Sequence, residues 1–182
     1  MLDMVDDSDE ALAHAAAGGD AQAFAALVAR LYDRLFALCF RLTGARAEAE
    51  DLTQDICAAL PAKLALFDGR SKVSTWLYRV TVNAAHDRRR RQATHAKAAT
   101  GWGDWEVARR AANAEADDQT NWLMAAMGRL PDDLRDTLAL ILDDITHADA
   151  AQILGVSEGT ISWRVSEAKK RLRALKEQEE TV

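Results

Sequence analysis

The sequence predicts an all-α protein made of two small helical domains joined by a flexible linker. Ala and Leu are abundant, runs of β-branched residues are rare, and the 182 residues include only two prolines and nine glycines. Apolar residues recur at three- and four-residue steps, the spacing of amphipathic helices, and no segment alternates convincingly as a strand does. We place the domains at residues 1–91 and 121–182 and the linker at 92–120.

The helices of the first domain can be placed from their end signals. Asp9–Ala17 is predicted as a short helix closed by a Gly-Gly pair, and Asp20 as the N-cap of a long second helix that ends at Thr43–Gly44. A third helix begins near Ala47 and has one apolar and one polar side. The polar side carries Glu48, Glu50, Asp51, Gln54 and Asp55.

The stretch FDGRSKVSTWLYRVTVNAAHDRRRR, residues 67–91, combines a loop, a helix and four consecutive arginines. Gly69 marks the loop, and Ser71 or Ser74 is expected to cap the helix. One face of the helix is apolar and is predicted to be core: Val73, Trp76, Leu77, Val80 and Ala84. A polar flank lies beside it within about 80° of the circumference: Thr75, Arg79, Asn83, His86 and Arg90.

Residues 92–120 have no persistent apolar stripe and are rich in Ala, Asp, Glu, Asn and Gly, which predicts a linker, with room for a helical piece around 106–116. Trp102 and Trp105 are unexpected in a pure linker. Together with Trp163 they are candidates for an interdomain or partner contact.

The second domain begins with a short helix that stops at Pro131, followed by another amphipathic helix. Its last segment, THADAAQILGVSEGTISWRVSEAKKRLRAL, has the chemistry of a helix-turn-helix. Gly155 suits a left-handed turn, and Ser157 is the natural N-cap of the second helix. A helical hairpin in an ordinary bundle is the alternative.

The second helix of such a motif enters the DNA major groove. At about 100° per residue, Trp163, Glu167 and Lys170 point away from its apolar stripe. An exposed Trp usually has a partner, and contact with a base or sugar and contact with a protein both remain open. The inner stripe consists of Ile161, Val165, Ala168, Leu172 and Leu175.

The formal charge of -6 is distributed unevenly. Five carboxylates lie in residues 1–10 and three in residues 177–182, and without these eight the charge would be +2. Residues 86–97 carry a net +4 and residues 163–176 a net +5. Two basic clusters on a nearly neutral body indicate polyanion binding, while solvated helix faces are the alternative.

The remaining side-chain chemistry excludes several classes of protein. Cys39 and Cys57 are 18 residues apart without zinc-ligand spacing, so both are expected to be buried thiols in a reducing cytoplasm. No apolar run reaches the ~18 residues of a membrane helix, and the acidic N-terminus does not resemble a secretion signal. The four histidines form no triad or metal-site pattern, so we expect no metal, no cofactor and no enzyme activity.

With these motifs, nearly the whole chain resembles the bacterial RNA polymerase sigma factors of the extracytoplasmic-function (ECF) group, group 4 of the sigma-70 family. GDAQAFAALVARLYDRLFALCFRLTG resembles the first conserved helix of the family, and AEAEDLTQDICAAL resembles its polymerase-packing segment. Residues 67–91 resemble the promoter-melting and -10-reading segment. LPDDLRDTLAL and the helix-turn-helix resemble the -35-binding domain. The four segments occur in the family's order and at its spacing.

The resemblance implies promoter recognition as a subunit of RNA polymerase. Phe67 would then stack on a flipped base or simply belong to the core, and Asn83 would read a base edge or serve as a structural cap. Arginines from 88 to 91 would hold phosphate. The residues implied at the -10 element are Phe67, Arg70, Ser71, Lys72, Thr75, Arg79, Asn83, His86, Arg89, Arg90 and Arg91.

The resemblance also implies two further surfaces and a regulator. The -35 element would meet Ser157, Glu158, Thr160, Ser162, Trp163, Arg164, Ser166, Glu167, Lys169 and Lys170. Core polymerase would bind Glu48, Asp51, Gln54 and Asp55, for which a solvated face is the alternative. The acidic linker resembles the segment that runs toward the RNA exit path. Family members are usually held inactive by an anti-sigma factor.

Two positions depart from the family pattern. Ala150 replaces an aliphatic residue, and Trp163 stands where a small or basic residue is usual. Both departures concern the -35 preference rather than the fold. A free-standing helix-turn-helix regulator is the alternative function, and a nuclease would need a carboxylate or His cluster that the sequence does not show.

Overall fold

The structure, a computed structural model, describes residues 8–98 and 120–180, and within these residues the chain forms eight α-helices and no strand. The all-α prediction is confirmed. In chain order the helices are α1 Asp9–Ala17, α2 Ala21–Thr43, α3 Arg46–Leu64, α4 Val73–Ala98, α5 Thr120–Gly128, α6 Asp132–Ile141, α7 His147–Leu154 and α8 Glu158–Glu180. Residues 102, 105 and 106–116, for which linker predictions were made, lie outside the described residues.

Helices α1–α4 form an N-terminal bundle around a leucine-rich core. Asp20 caps α2 as predicted, because its Oδ1 accepts the N–H groups of Gln22 and Ala23 at 2.9 and 3.0 Å. Gly44 ends α2 with a φ of 73°, a left-handed conformation that glycine adopts without strain. The largest fully buried side chains of this bundle include Leu27, Leu38, Leu42, Leu52, Ile56 and Leu64.

The start of α4 differs from the prediction, and its end lies beyond the domain boundary placed at residue 91. The helix begins at Val73, so Ser71 precedes it and Ser74 lies inside it, and neither is its cap. The Val73 N–H instead donates to Glu10 Oε1 of α1 at 3.3 Å, which places a carboxylate at the positive end of the helix. At its other end α4 continues to Ala98, seven residues past the predicted boundary at residue 91. Ala-rich sequence of this kind favours helix.

Helices α5–α8 form a second bundle that contains the helix-turn-helix. Gly155 ends α7 at a φ of 67°. Ser157 Oγ then accepts the Thr160 N–H at 3.1 Å, which confirms it as the cap of α8. Ile161, Val165 and Ala168 are buried as predicted, so the inner stripe of α8 packs against α6 and α7.

The two bundles contact each other in this structure. α2 packs against α5 and α6, and α4 packs against α7. The backbones approach closely at Gly44, where an added Cβ would lie 3.2 Å from the Met124 carbonyl oxygen and 3.4 Å from Gly128 Cα. None of the helices in the described residues is long and apolar enough to cross a membrane.

Candidate nucleic-acid interface

The loop before α4 presents polar side chains around one aromatic pair. The Phe67 ring lies 5.2 Å from the Trp76 ring at an angle of 52°, and both are half-buried against the core. Phe67 therefore packs as the core alternative expects. Leu66 beside it is 84% exposed. Arg70 is exposed and pairs with Asp68 of the same loop, Ser71 is half-buried, and Lys72 is exposed.

The polar flank predicted on α4 (Thr75, Arg79, Asn83, His86 and Arg90; the α4 flank) splits into three groups. Thr75 is buried. Asn83 and Arg90 are exposed, and Arg90 pairs with Asp87 one turn earlier. Arg79 and His86 instead contact the second bundle. The next arginine, Arg91, is exposed and donates to the Asp87 carbonyl of its own helix at 3.3 Å.

Asp136 of α6 joins the two bundles at the α4 flank. Its side chain is 2% exposed. Arg89 donates to both of its carboxylate oxygens, at 2.8 and 3.0 Å from Nη2, and His86 Nε2 lies 2.5 Å from Oδ2. Arg89 also pairs with Asp132 at 3.4 Å. A buried carboxylate requires such partners, and the two-oxygen contact with arginine is the strongest geometry available to it.

Asp143 forms a second polar contact between the bundles. Arg41 of α2 donates to its Oδ1 at 2.9 Å, and the Tyr78 hydroxyl of α4 donates to its Oδ2. Burial and the adjacent Asp143 carboxylate raise the pKa of Tyr78 far above its ordinary range, so the phenol remains a donor. Two hydrogen bonds to backbone carbonyls also join the bundles. Arg79 of α4 donates to the Gln152 carbonyl at 3.3 Å, and Arg135 of α6 donates to the Leu42 carbonyl at 3.4 Å.

Arg88 connects α4 to the predicted polymerase-binding face of α3. Its guanidinium lies 3.3 Å from Asp51 Oδ2, 3.4 Å from Asp55 Oδ2 and 3.7 Å from Glu48 Oε2. Arg88 is largely buried, whereas Asp51 and Asp55 are about two-thirds exposed. Gln54 is exposed as well. The predicted polymerase-binding face of α3 therefore remains polar and exposed to solvent, while Arg88 partly neutralises its carboxylates from the side of α4.

The outer surface of α8 carries the predicted -35 contacts. Trp163 is 60% exposed, as the helical spacing predicts. Arg164 is mostly covered and pairs with Asp133 of α6 at 3.5 Å. Glu167 accepts from Arg171 at 2.8 Å, and this bond lowers the pKa of its carboxyl. The other exposed side chains of the set are Ser157, Glu158, Ser162, Ser166, Lys169 and Lys170, with Thr160 half-buried.

The thiols and possible metal ligands are arranged as follows. Cys39 is fully buried, and burial raises its pKa to about 11. Cys57 is only half-buried, which corrects the expectation that both thiols are buried, and its pKa is also raised by burial. Within residues 8–98 and 120–180, no group of three or more His, Cys, Asp or Glu side chains could hold a metal ion.

Several residues that shape this interface were not singled out in the sequence. Asp136 lies within the apolar pattern of α6, and a carboxylate at such a position was a signal that it needed a partner. Arg88 was grouped with the other arginines as a phosphate contact, and its pairing with Glu48, Asp51 and Asp55 of the predicted polymerase-binding face was not anticipated. Asp143 and Tyr78 carried no local signal, because their contact joins positions 65 residues apart.

Each of the two bundles matches a known protein family. Sigma-70 region 2 matches residues 27–95, and Sigma-70 region 4 matches residues 120–172. The fold and these matches define a sigma factor of the sigma-70 type that contains regions 2 and 4. The chain is also 35% identical over 170 residues to the ECF RNA polymerase sigma factor SigM of Mycobacterium tuberculosis, with 92% of this chain and 84% of the relative covered. It belongs to the ECF sigma factor family.

Two solved structures are similar over most of the chain. CnrH in complex with the cytosolic domain of CnrY has a TM-score of 0.67 and 26% identity, covering 93% of this chain and 97% of that one. RpoE in complex with the anti-sigma factor NepR from Bartonella quintana has a TM-score of 0.67 and 25% identity, covering 82% and 94%. Both therefore share the two-bundle fold described here.

Proposed function

We propose that this ECF sigma factor binds core RNA polymerase, reads the -10 element with the α4 flank and the -35 element with α8, and is controlled by an anti-sigma factor. The observation that carries the proposal is the presence of region 2 and region 4 in one chain, each with an exposed polar and cationic helix surface. The polymerase supplies the catalytic chemistry, and the chain acts in the cytoplasm.

The -10 assignment rests on the exposed part of α4 and its loop. Asn83 can bond base edges through its amide, and Arg90 and Arg91 can hold phosphate. All three are exposed on one helix whose opposite side is anchored in the core. Arg79, His86 and Arg89 reach the same DNA only when they leave their contacts with the second bundle.

The -35 assignment rests on the helix-turn-helix geometry. The Gly155 turn and the Ser157 cap orient α8 so that Trp163 and Lys170 face outward, while Ile161 holds the helix to the core. Apolar side chains in the major groove contact thymine methyl groups, and lysines contact phosphate. Trp163 is therefore proposed as a base or sugar contact.

The α3 face is the proposed docking surface for polymerase. Asp51, Gln54 and Asp55 are exposed, and Arg88 holds the two carboxylates from behind. Anti-sigma control is proposed from the structural relatives, since CnrH is seen with the cytosolic domain of CnrY and RpoE with the anti-sigma factor NepR.

The test is transcription in vitro with sigma-free core polymerase and a library of genomic fragments. The purified chain is expected to bind core and start transcripts at a defined set of fragments, and Asp51→Asn with Asp55→Asn is expected to weaken core binding. Glu177→Gln with Glu180→Gln, which removes two negative charges from exposed positions of α8, is the control for charge. If the chain neither binds core nor starts any transcript, the proposal is wrong. Tight duplex binding without polymerase would favour the free-standing regulator.

A further inference from the structure

The polar contacts between the two bundles fall on the surface that the -10 element would need. Arg89 has 19% of its side chain exposed because Asp136 and Asp132 of α6 occupy its guanidinium. Arg79 donates to the Gln152 carbonyl of α7, and His86 faces Asp136. Three of the cationic or titratable residues proposed to meet DNA are therefore already paired with region 4.

The pairing has the chemistry of phosphate binding. A carboxylate with two oxygens in the guanidinium plane uses the same donors and the same geometry that a phosphate uses. Asp136 presents both oxygens to Arg89 at 2.8 to 3.1 Å. The same Arg89 donors cannot hold Asp136 and a DNA phosphate in this geometry at once, so the two partners exclude each other.

A second set of contacts holds the bundles in this arrangement. Asp143 is bound by Arg41 and Tyr78, both on the N-terminal bundle and both more buried than exposed. Gly44 allows α5 to approach the end of α2 to within ordinary backbone contact. Partly buried charge pairs are screened less by salt than exposed ones, so salt is expected to weaken the Asp143 contacts less than it weakens surface ion pairs.

Region 4 leaves its own DNA surface open in this arrangement. Trp163, Lys169 and Lys170 are exposed on α8, whereas Arg79 and Arg89 of α4 are paired with α7 and α6. We infer that α6 is an intramolecular inhibitor of -10 binding, in which Asp136 occupies the place of a promoter phosphate on Arg89. The inference rests on the proposed function of α4, and it adds that the free chain must separate its two regions before Arg79, His86 and Arg89 are available to DNA.

The test compares the full-length chain with Asp136→Asn, which keeps the shape of the side chain and removes its charge. Small-angle X-ray scattering measures whether the two regions separate, as a rise in the radius of gyration. Fluorescence anisotropy with a labelled single-stranded oligo(dT) measures whether the cations of α4 become available. Glu180→Gln changes the net charge by the same amount and is the matched control.

The expected result is a larger radius of gyration and tighter oligo(dT) binding for Asp136→Asn, with neither change in Glu180→Gln. We call the arrangement in which the two bundles are in contact the closed form. If the closed form accounts for about 90% of the molecules, full opening strengthens the apparent affinity for oligo(dT) about tenfold. Asp143→Asn is a second variant for the case in which Asp136→Asn does not fold, and the same two changes are expected.

Two results overturn the inference. One is an unchanged radius of gyration in both variants, and the other is an opened chain whose oligo(dT) affinity equals that of the wild type. Failure of the proposed function is seen separately, because it is the absence of core binding and transcription by the wild-type chain. A charge exchange, Arg89→Asp with Asp136→Arg, is expected to restore the compact form that either change alone loses.

Discussion

At the scale of single residues, Asn83 is the exposed amide in the middle of the α4 flank. We expect Asn83→Ala to slow promoter opening by polymerase holoenzyme while its affinity for core stays unchanged, because removing a base-edge bond costs about 1–3 kcal/mol of discrimination. Opening rates on a promoter identified by the transcription assay check this. Thr94→Ala, an exposed change on the same helix, is the control. Equal opening rates for Asn83→Ala and the wild type would remove Asn83 from the -10 contact.

Arg90 and Arg91 are exposed arginines whose visible partners belong to their own helix. Replacing both with Ala is expected to flatten the salt dependence of single-strand DNA binding, by about 0.7 in the slope of log K against log salt for each phosphate that is no longer neutralised. A titration of oligo(dT) binding at several salt concentrations gives the slope. Arg129→Ala with Lys176→Ala removes the same charge from exposed pairs elsewhere. A slope equal to that of this control would mean that Arg90 and Arg91 do not contact DNA phosphate.

The two thiols differ in burial. Cys39 is fully buried with a pKa raised to about 11, so at pH 8 it is almost wholly protonated, whereas Cys57 is half-buried. Since the thiolate is the reactive form, we expect a thiol reagent at pH 8 to label Cys57 first and Cys39 only after unfolding. Mass spectrometry of the labelled peptides distinguishes the two sites. Labelling of Cys39 in the folded protein at the rate of Cys57 would contradict the buried position.

At the scale of the helix elements, the helix-turn-helix depends on the left-handed Gly155. An added Cβ there would meet nothing within 4 Å, so Gly155→Ala costs only the backbone strain of a positive φ, about 1–2 kcal/mol. Urea denaturation is expected to show that loss of unfolding free energy. Gly159→Ala, in the first turn of α8 and without a positive φ, is the control and should be neutral or stabilising. A loss in Gly159→Ala equal to that in Gly155→Ala would contradict the strain account.

The helix elements were predictable where their signals are local. Asp20, Gly44, Gly155 and Ser157 each end or begin a helix through neighbours within a few residues, so their roles followed from sequence. The start of α4 did not, because its N-terminal partner is Glu10, which is 63 residues away. Helix ends set by tertiary contacts are invisible to periodicity and capping patterns.

At the scale of the whole molecule, the close approach of the bundles can be tested at Gly44. Its φ of 73° is similar to that of Gly155, but its Cβ would lie 3.2 Å from the Met124 carbonyl oxygen. Gly44→Ala is therefore expected to lose more stability than Gly155→Ala and to enlarge the radius of gyration. Denaturation and scattering on the same samples provide the comparison. Equal losses and an unchanged radius would mean that the approach at Gly44 contributes nothing to the closed arrangement.

The order of the two domains and the surfaces they offer could be anticipated from motifs, whereas their contact could not. The block of four arginines predicts only a DNA contact for Arg89, because such blocks are typical of phosphate binding. The structure gives the same side chain a protein partner in Asp136, 47 residues further along. Pairing at that distance in the chain depends on how two bundles dock, which no local pattern encodes.

The double use of Arg89 has an evolutionary consequence. A substitution at this position changes the contact with Asp136 at the same time as it changes the proposed contact with DNA. A lineage cannot therefore adjust its affinity for promoter phosphate here without also changing the fraction of molecules in which the two bundles are in contact. Compensating replacements at position 136 are the simplest way to separate the two properties, so positions 89 and 136 are expected to vary together among close descendants of this chain.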